Sequence, residues 1–369
     1  MMSSRYAARR DRFWKLLKDT GVNAFLVTDE TNVSWLTGFS GDSSWLLVAG
    51  GKSFLLSDSR YETQISEECP GLEALIRRTD QRLTQVCGEA IGSLKVKRLG
   101  VEGHVMTLEA RDALAAVLGN VELVPVSMRI ENELRSIKDA EEIAETRQAV
   151  MIAGRGFDFL RATLRADQTE RDIAYELEHA MRKIGAAGVS FPAIIASGDR
   201  AALPHYRPGD RQVGGAEMIL VDWGCTMPSH YKSDLTRMLV FGKPSAKFAK
   251  VYNTVLEAQK RAIAQIRPGA KCGDIDHIAR SYISQQGYGK RFGHSLGHGI
   301  GLNIHEQPRL APGSETILKP GMIVTVEPGI YLPDWGGVRI EDDVLITKDG
   351  CEVLSAHVPK ELDSAIMSW

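Results

Sequence analysis

The sequence predicts two domains of different fold class, an α/β domain followed by a larger α+β domain. The length of 369 residues exceeds the usual size of a single domain, about 100–200 residues. Short apolar strands alternate with amphipathic helices in the first third, which is the pattern of an α/β domain. In the remainder, long helices accompany strands that are spaced as hairpins, which favours an α+β domain. We expect the domains at residues 1–133 and 134–369.

Helical and strand-like patterns alternate along residues 1–133. Apolar runs bounded by turn residues predict strands at 24–27, 45–48, 53–56, 98–101 and 121–126. Amphipathic patterns predict helices at 5–19, 83–94 and 107–118. Gly21 follows the first helix as its stop signal.

A charged segment between residues 131 and 142 marks the expected domain boundary. Asp139 is followed three positions later by Glu142, the pattern of a helix N-terminus with a capping box. We interpret this segment as the solvated start of the first helix of the second domain.

The second domain contains longer elements. Helices are predicted at 139–163, 169–184, 246–266 and 273–286, and strands at 218–223, 235–241, 322–327 and 338–346. Thr169 and Ser245 are predicted N-caps, and Pro268 and Gly287 are predicted stops.

Composition excludes several classes of protein. The 45 Lys and Arg against 47 Asp and Glu give a net charge of −2, which does not favour a nucleic-acid partner. The five cysteines contain no Cys-x-x-Cys pair, so we expect neither a disulfide framework nor a zinc ribbon. Neither a secretory signal nor a membrane span is recognisable, so we expect a cytoplasmic protein without a membrane partner.

Four acidic residues lie at the ends of the most apolar strands of the second domain. Asp222 and Asp234 flank a turn segment that predicts a hairpin centred on residue 228, with the two carboxylates opposite each other. Glu327 ends a third apolar run, and Glu341 lies within a fourth. Buried, unpaired carboxylates are costly, so these residues need a shared source of positive charge.

Neighbouring arginines do not meet that need. Arg237 and Arg339 would pair with two of the four acids at most. Arg339 and Glu341 share one strand face because side chains alternate with a period of two. The four carboxylates therefore indicate divalent metal.

A glycine-rich segment, residues 292–306, supplies histidine candidates at His294, His298 and His305. Their offsets of 0, 4 and 11 miss the 0, 4 and 10 of a metzincin helix, and Ser295 stands where its glutamate would be. The glycines also do not follow the dinucleotide-binding pattern. Four carboxylates with one imidazole suit two hard or borderline divalent ions, as in two-metal hydrolases.

These residues resemble a known family, the pita-bread metallopeptidases, which include methionine aminopeptidase, aminopeptidase P and prolidase. The proline-specific branch is the most similar. Seven motifs in family order carry the resemblance: Phe-Pro-Ala-Ile-Ile-Ala-Ser-Gly (191–198), Ala-Leu-Pro-His-Tyr (202–206), Val-Asp-Trp-Gly (221–224), Ser-Asp-Leu-Thr-Arg (233–237), Gly-His-Ser-Leu-Gly-His-Gly-Ile-Gly-Leu (293–302), Glu-Pro-Gly-Ile-Tyr (327–331) and Gly-Val-Arg-Ile-Glu-Asp (337–342). Residues 32–41 and 58–61 resemble the creatinase-type N-terminal domain, and 134–138 its linker.

The resemblance implies a role for each candidate residue. The implied metal ligands are Asp222, Asp234, His298, Glu327 and Glu341. Glu327 is also the implied proton shuttle, and His205 and His305 are implied to contact the scissile carbonyl. His294 and Arg339 are implied to bind the substrate, with Tyr331 beside them.

The resemblance further implies hydrolysis of the Xaa-Pro bond in dipeptides or short peptides by two divalent ions. Manganese is favoured, with cobalt and zinc left open. Prolidase is the preferred activity, and aminopeptidase P, which acts on longer peptides with proline second, is the alternative. A non-catalytic creatinase-fold binding protein and a hydrolase of other small amides are further alternatives. The family also implies a homodimer.

One departure from the family concerns metal geometry. Asp222 and Asp234 are 12 residues apart, one more than is usual, and we place the extra residue in the turn at 227–229. A bulge there would change the direction of Asp234. Cys225 nearby is either a core residue or a soft metal ligand.

Overall fold

The computed structural model describes residues 2–367, and the chain divides into two compact units between Leu134 and Arg135. Each unit has its own sheets and its own apolar core.

The first unit is an α/β domain built on one mixed sheet. Its elements are α1 Met2–Leu16, β1 Ala24–Val27, α2 Glu30–Thr37, β2 Trp45–Ala49, β3 Lys52–Asp58, α3 Glu62–Glu68, β4 Glu73–Arg77, α4 Leu83–Ser93, β5 Arg98–Glu102, α5 Leu108–Leu118 and β6 Glu122–Val126. The six strands lie in the order β4-β3-β2-β1-β5-β6. Strands β1, β2 and β3 pair antiparallel, and the outer strands pair parallel.

Three elements of this unit escaped the sequence prediction: α2, α3 and β4. Helix α2 is only eight residues long and is fixed by Asp29, whose side chain accepts from the Asn32 amide. Strand β4 lies at the edge of the sheet, and most of its residues are only partly buried. Short or half-exposed elements carry little hydrophobic periodicity, so the sequence signal is weak.

The second unit is an α+β domain. Its helices are α6 Ala140–Thr163, α7 Glu170–Lys183, α8 Ala246–Ile263, α9 Cys272–Gln285 and α10 Leu362–Ala365. Its strands are β7 Gly188–Val189, β8 Ile194–Ser197, β9 Met218–Trp223, β10 Cys225–Thr226, β11 Leu235–Phe241, β12 Gly297–Gly299, β13 Glu306–Leu310, β14 Ile323–Val326, β15 Gly329–Leu332, β16 Gly336–Arg339, β17 Asp342–Ile346, β18 Cys351–Val353 and β19 Ile366–Met367.

Two larger sheets and a common apolar core organise this unit. The sheets have the strand orders β19-β11-β9-β8 and β13-β12-β14-β17-β18, and all their pairs except β11–β19 are antiparallel. Phe248 and Val255 of α8 and Ile275 of α9 belong to one buried apolar cluster with residues from strands of both sheets. The core therefore joins the strands on which the acidic candidates lie.

The predicted helix caps are confirmed, but the charged segment before α6 is not solvated as predicted, because Arg135, Lys138 and Glu142 are buried. The Asp139 side chain accepts from the backbone amides of Glu141 and Glu142. The Asp139 amide in turn donates to the carboxylate of Glu142. Thr169 and Ser245 cap α7 and α8 through their side-chain oxygens. Each cap satisfies amides that the first turn of a helix leaves free.

The predicted register of the β9–β11 hairpin is wrong. Asp222 lies opposite Thr236 and Trp223 opposite Leu235, so the hairpin is centred on residue 229 rather than 228. By the same register, Asp234 lies two residues before Thr236, on the same strand face, and is a diagonal neighbour of Asp222.

The extra residue between the aspartates is absorbed by the turn. The Met227 amide donates to the Tyr231 carbonyl at 2.8 Å, and His230 has a left-handed φ of 69°. From Thr226 and Lys232 onward the pairing keeps one register as far as Val240. The insertion therefore does not produce a bulge at Asp234.

The strand predicted at 338–346 is two strands. Strand β16 ends at Arg339 and β17 begins at Asp342. At the break, the Glu341 amide donates to the Thr236 carbonyl at 3.1 Å, which joins this segment to β11.

No helix within residues 2–367 has the length and apolar character needed to cross a membrane.

Candidate active site

One cavity of about 460 Å³ in the second unit is lined by all nine residues to which the sequence analysis gave a metal-binding, catalytic or substrate-binding role. Its lining includes His205, Asp222, Asp234, His294, His298, His305, Glu327, Arg339 and Glu341. Phe191, Ile194, Pro204 and Ile304 give the same cavity an apolar wall. Residues more than a hundred positions apart in the chain thus share one site.

Strand ends place the acidic side chains. Asp222 lies near the end of β9, Asp234 immediately precedes β11, and Glu327 immediately follows β14. Gln259 of α8 donates to the carbonyls of Val326 and Ile340, at 3.0 and 3.1 Å. These residues directly precede Glu327 and Glu341, so one buried amide fixes the backbone on which two carboxylates lie.

Glycines place His298 in the middle of a crowded sheet. A Cβ at Gly297 would lie 1.9 Å from the Thr325 carbonyl oxygen, and one at Gly299 would lie 2.2 Å from the Gln307 carbonyl oxygen. The glycine-rich motif therefore forms a strand, β12. The neighbouring backbone lies so close to Gly297 and Gly299 that any residue with a Cβ atom would clash with it.

Three side chains form the centre of the site. Asp234, His298 and Glu341 each offer a ligand atom, and these atoms lie within 4.8 Å of one another. Nε2 of His298 is 3.6 Å from Oδ2 of Asp234 and 3.4 Å from Oε1 of Glu327. Nδ1 of His298 donates to the Gly299 carbonyl at 3.0 Å, so the lone pair of Nε2 faces these carboxylates.

The electrostatics of this group are unfavourable in the chain alone. Burial, together with the neighbouring carboxylates, holds the pKa of Asp234 and that of Glu341 well above their usual values. Burial also raises the pKa of Glu327 to about 8 and lowers the pKa of His298 to about 3. Carboxylates gathered around a neutral imidazole therefore need either protons or cations between them.

Asp222 provides a direct test of whether a metal ion fits. Its Oδ2 accepts from Nη2 of Arg339, whereas its Oδ1 is buried and has no hydrogen-bond partner among residues 2–367. A buried acceptor without a partner is costly, and a cation would satisfy it. Together with the lone pair of His298 and the carboxylate-rich donor set, this atom fits divalent metal ions.

Arg339 is held by the wall of the cavity. Its Nε donates to Oγ1 of Thr236 at 3.0 Å, its Nη1 to the Tyr331 hydroxyl at 2.8 Å, and its Nη2 to Asp222. The same hydroxyl lies 2.9 Å from Nε2 of His294. Burial and the nearby Arg339 lower the pKa of His294 to about 4, so this imidazole is neutral.

The other two histidines present their rings to the cavity. His205 and His305 are exposed, and both line the cavity. The His305 ring meets the His298 ring edge-on, with centroids 4.5 Å apart. Partial burial and the nearby Arg309 lower the pKa of His305, which favours the neutral form.

Two site residues were missed by the sequence reasoning. Thr236 donates to Oε2 of Glu341 at 2.6 Å and accepts from Arg339. Arg309 is exposed, lines the cavity and forms no ion pair with any residue in the 2–367 range. The two-residue period from Asp234 was a signal for Thr236, whereas Arg309 reaches the site because β13 pairs with β12.

Cys225 is a core residue. Its side chain is fully buried, and Sγ donates to the Ala149 carbonyl at 3.2 Å. Cys225 is not among the residues that line the cavity.

Two family models match this architecture. The model of metallopeptidase family M24 matches residues 144–348, and that of the creatinase/prolidase N-terminal domain matches residues 9–137. The chain belongs to metallopeptidase family M24, with the creatinase-type N-terminal domain and the pita-bread catalytic domain that the sequence predicted. It is therefore a metallopeptidase, and membership implies divalent metal ions.

Similar proteins extend over the whole chain. An uncharacterized peptidase of Bacillus subtilis is 38% identical, over 95% of this chain and 98% of that protein. The structure of an Xaa-Pro dipeptidase from Bacillus anthracis is 36% identical with a TM-score of 0.94, and 99% of this chain and 100% of that chain are covered. The structure of an X-Pro aminopeptidase from Thermotoga maritima is 34% identical with a TM-score of 0.88. The match covers 98% of this chain and 100% of that chain.

Proposed function

We propose that the protein is an Xaa-Pro dipeptidase, a prolidase, which hydrolyses the bond before proline in dipeptides. The observation that carries this proposal is one cavity that combines a carboxylate and histidine cluster with an exposed arginine that has no ion-pair partner in the described chain. The first group supports metal-dependent hydrolysis, and the arginine supports binding of a free carboxylate. The similarity to the Bacillus anthracis dipeptidase supports the same substrate class.

Five residues would hold two divalent ions: Asp222, Asp234, His298, Glu327 and Glu341. Bound ions of this kind lower the pKa of water and polarise the scissile carbonyl. We propose manganese because carboxylate oxygens dominate the donor set, with cobalt and zinc as the ions to compare.

Glu327 is suited to move a proton. Its carboxylate lies at the cavity surface, where 16% of the side chain is exposed, and Thr325 donates to its Oε1 at 3.3 Å. We assign Glu327 to take a proton from the attacking water and deliver it to the prolyl nitrogen. The nitrogen of an Xaa-Pro bond is a tertiary amide, which must be protonated before it leaves.

His205 and His305 are assigned to the scissile carbonyl. Their exposed imidazoles face the cavity, and donors aimed at a developing oxyanion lower the barrier to acyl transfer. His294 and Arg339 are assigned to the substrate side, where they form a fixed wall through Tyr331.

Arg309 is the cation that we assign to the free carboxylate of a dipeptide. Arg339 already donates to Asp222, Thr236 and Tyr331 and is only 3% exposed. Arg309 is exposed at the same cavity and can offer a bidentate fork to a carboxylate.

Kinetics on matched peptides test this proposal. We expect the metal-loaded protein to cleave Xaa-Pro dipeptides at least about 100-fold more efficiently than Xaa-Pro-Yaa tripeptides or dipeptides without proline. Arg309→Met should raise KM for dipeptides about tenfold or more, since a charged contact is worth about 1.5–3 kcal/mol. Its effect on tripeptides should be small. Equal cleavage of both peptide lengths would contradict the dipeptidase assignment.

Aminopeptidase P activity is the second candidate. The similarity to the Thermotoga maritima X-Pro aminopeptidase favours it, since identity and TM-score are close to those of the dipeptidase. Preferential cleavage of the tripeptides would establish it.

We further propose that the protein is a cytoplasmic homodimer. All five cysteines are free thiols, which suits a reducing compartment. Light scattering of the purified protein tests the dimer, and cell fractionation tests the location.

A further inference from the structure

Each exposed histidine of the cavity is followed in the chain by a residue that is bound to a buried charged group. His205 precedes Tyr206, whose hydroxyl donates to Oε2 of Glu170 at 2.8 Å. His305 precedes Glu306, whose Oε2 accepts from Nζ of Lys138 at 3.0 Å. The two rings are exposed, whereas the residue that follows each of them is held by a hydrogen bond or an ion pair.

Glu170 ties together the segments on both sides of His205. It lies at the start of α7 and is fully buried. Its Oε1 accepts from the amide and the hydroxyl of Ser197, at 2.9 and 2.6 Å. Its Oε2 accepts from Tyr206 and from the amide of Gly209, the latter at 3.2 Å. One carboxylate thus holds the end of β8 and the chain after His205.

Glu306 anchors the loop that precedes it. Its Oε1 accepts from the Asn303 amide at 3.1 Å and from Nη2 of Arg135. A Cβ at Gly301 would lie only 2.7 Å from Oε2, so the loop backbone wraps closely around the carboxylate. The side chains of Glu306, Arg135 and Lys138 are all at most 2% exposed.

We propose that Glu170 and Glu306 are positioning residues, which hold His205 and His305 respectively and act independently of each other. The inference rests on the proposed function, in which both histidines serve the scissile carbonyl. An exposed imidazole has few contacts of its own, so its position depends on the backbone that carries it. A misplacement of about 1 Å at a reacting group costs up to 100-fold in rate.

A purely structural role for the two carboxylates predicts a different result. Loss of either anchor would then destabilise the domain as a whole and weaken catalysis through both histidines alike. A crossed double-mutant cycle separates these cases, because only a positioning residue is coupled to one histidine and not to the other.

The experiment uses Tyr206→Phe, which removes one hydroxyl from Glu170, and Glu306→Gln. Each is measured alone, with His205→Ala and with His305→Ala. We expect each anchor variant to lower kcat about tenfold with KM within about twofold and with unchanged metal content. Added to His205→Ala, Tyr206→Phe should lower kcat no further. Added to His305→Ala, it should lower kcat by the same factor as in the wild type. Glu306→Gln should show the reverse pattern.

The same measurements identify failure. Equal losses in both histidine backgrounds would overturn the proposal, as would either histidine variant with an unchanged kcat. If Glu306→Gln does not fold because two buried cations remain, Lys138→Met replaces it and should give the same pattern. The proposed function is judged separately, by whether the wild type cleaves Xaa-Pro peptides at all. If it cleaves another amide, the cycle is measured with that substrate.

Discussion

Single residues of the site combine structural and chemical roles. Thr236 is the clearest case, because its hydroxyl donates to Glu341 and accepts from Nε of Arg339, while its carbonyl accepts from the Glu341 amide. Arg339 in turn neutralises one oxygen of Asp222. A side chain that binds no ion itself thus orients two candidate metal ligands, as groups around metal sites commonly do.

Substitution of Thr236 by valine tests this role. Thr236→Val keeps the shape but removes the hydroxyl, so we expect metal affinity to fall about 10–100-fold. The measurement is the metal dissociation constant from competition with a chromogenic chelator. Thr236→Ser retains the hydroxyl and should remain within about threefold of the wild type. An equal loss in both variants would contradict the assigned hydrogen bonds.

At this scale, the sequence supplied the chemical types but not the contacts. The four carboxylates and His298 were recognisable because charge at apolar strand ends is unusual. The hydrogen bonds of Arg339 to Asp222, Thr236 and Tyr331 could not be predicted. Bonds between segments that are distant in the chain leave no local sequence pattern.

Elements of secondary structure determine how precisely these residues are placed. Strand β12 carries His298 between β13 and β14, and the two flanking glycines permit the close approach. The sequence excluded a helix here on its glycine content, and the structure shows a strand.

Gly297→Ala should disturb this strand. Its new methyl group would meet the Thr325 carbonyl at 1.9 Å, so the backbone must shift. Forced overpacking typically costs about 1–3 kcal/mol, and we expect at least that loss in the free energy of unfolding by urea. Gly350→Ala is the matched control, because no heavy atom lies within 4 Å of its added methyl group. Equal stability of the two variants would contradict the packing argument.

The loop that ends at Glu306 should make stability depend on pH. Burial alone would raise the pKa of Glu306, but Lys138 and Arg135 outweigh it and lower the pKa from 4.5 to about 2. A depressed pKa means that the stabilisation is complete above pH 4.5 and is lost as pH falls toward 2. The full effect is on the order of 3 kcal/mol.

The contribution of Glu306 to the free energy of unfolding is measured by denaturing the wild type and Glu306→Gln at several pH values. We expect the variant to be less stable at neutral pH and the difference to shrink between pH 4.5 and 2. A difference that stays constant over this range would show that Glu306 is not held as a charged group.

At the scale of elements, most of the fold followed from periodicity and caps. Strands β1, β9 and β11 have the predicted bounds, and helices α6, α7 and α8 begin within one residue of prediction. The β9–β11 register and the break at Ile340 and Glu341 did not follow, because loop geometry and pairing with a distant strand decide them.

The stability of the whole catalytic domain depends on the acidic side chains that are buried together in its active site. Its two larger sheets and helices α8 and α9 bring the acidic residues into one buried site, where their pKa values rise. Folding of the metal-free domain therefore works against like charges, and bound cations should offset this repulsion.

Metal removal should lower the melting temperature. Ions that bind only the folded chain stabilise it by about 4 kcal/mol at a thousandfold excess over Kd. We expect a chelator to lower Tm at neutral pH and readdition of Mn²⁺ to restore it, measured by calorimetry.

Asp234→Asn provides the control. Without metal, this variant should melt above the metal-free wild type, because the raised pKa of Asp234 makes its carboxylate costly to bury, whereas a neutral amide carries no such cost. It should gain little Tm from added Mn²⁺. A metal-free variant that melts below the metal-free wild type would contradict the electrostatic argument.

The two fold classes, the principal helices and strands, and the chemical types that share the site could be derived from the order of the amino acids. Those properties depend on local periodicity, on caps and on the cost of burying charge, all of which can be read along the chain. The contacts between these groups could be seen only in the folded domain: Thr236 with Glu341, Gln259 with the strand ends, Glu170 with Tyr206, and Glu306 with Lys138. Such contacts join segments that are far apart in the chain, and their geometry depends on the packing of the whole domain.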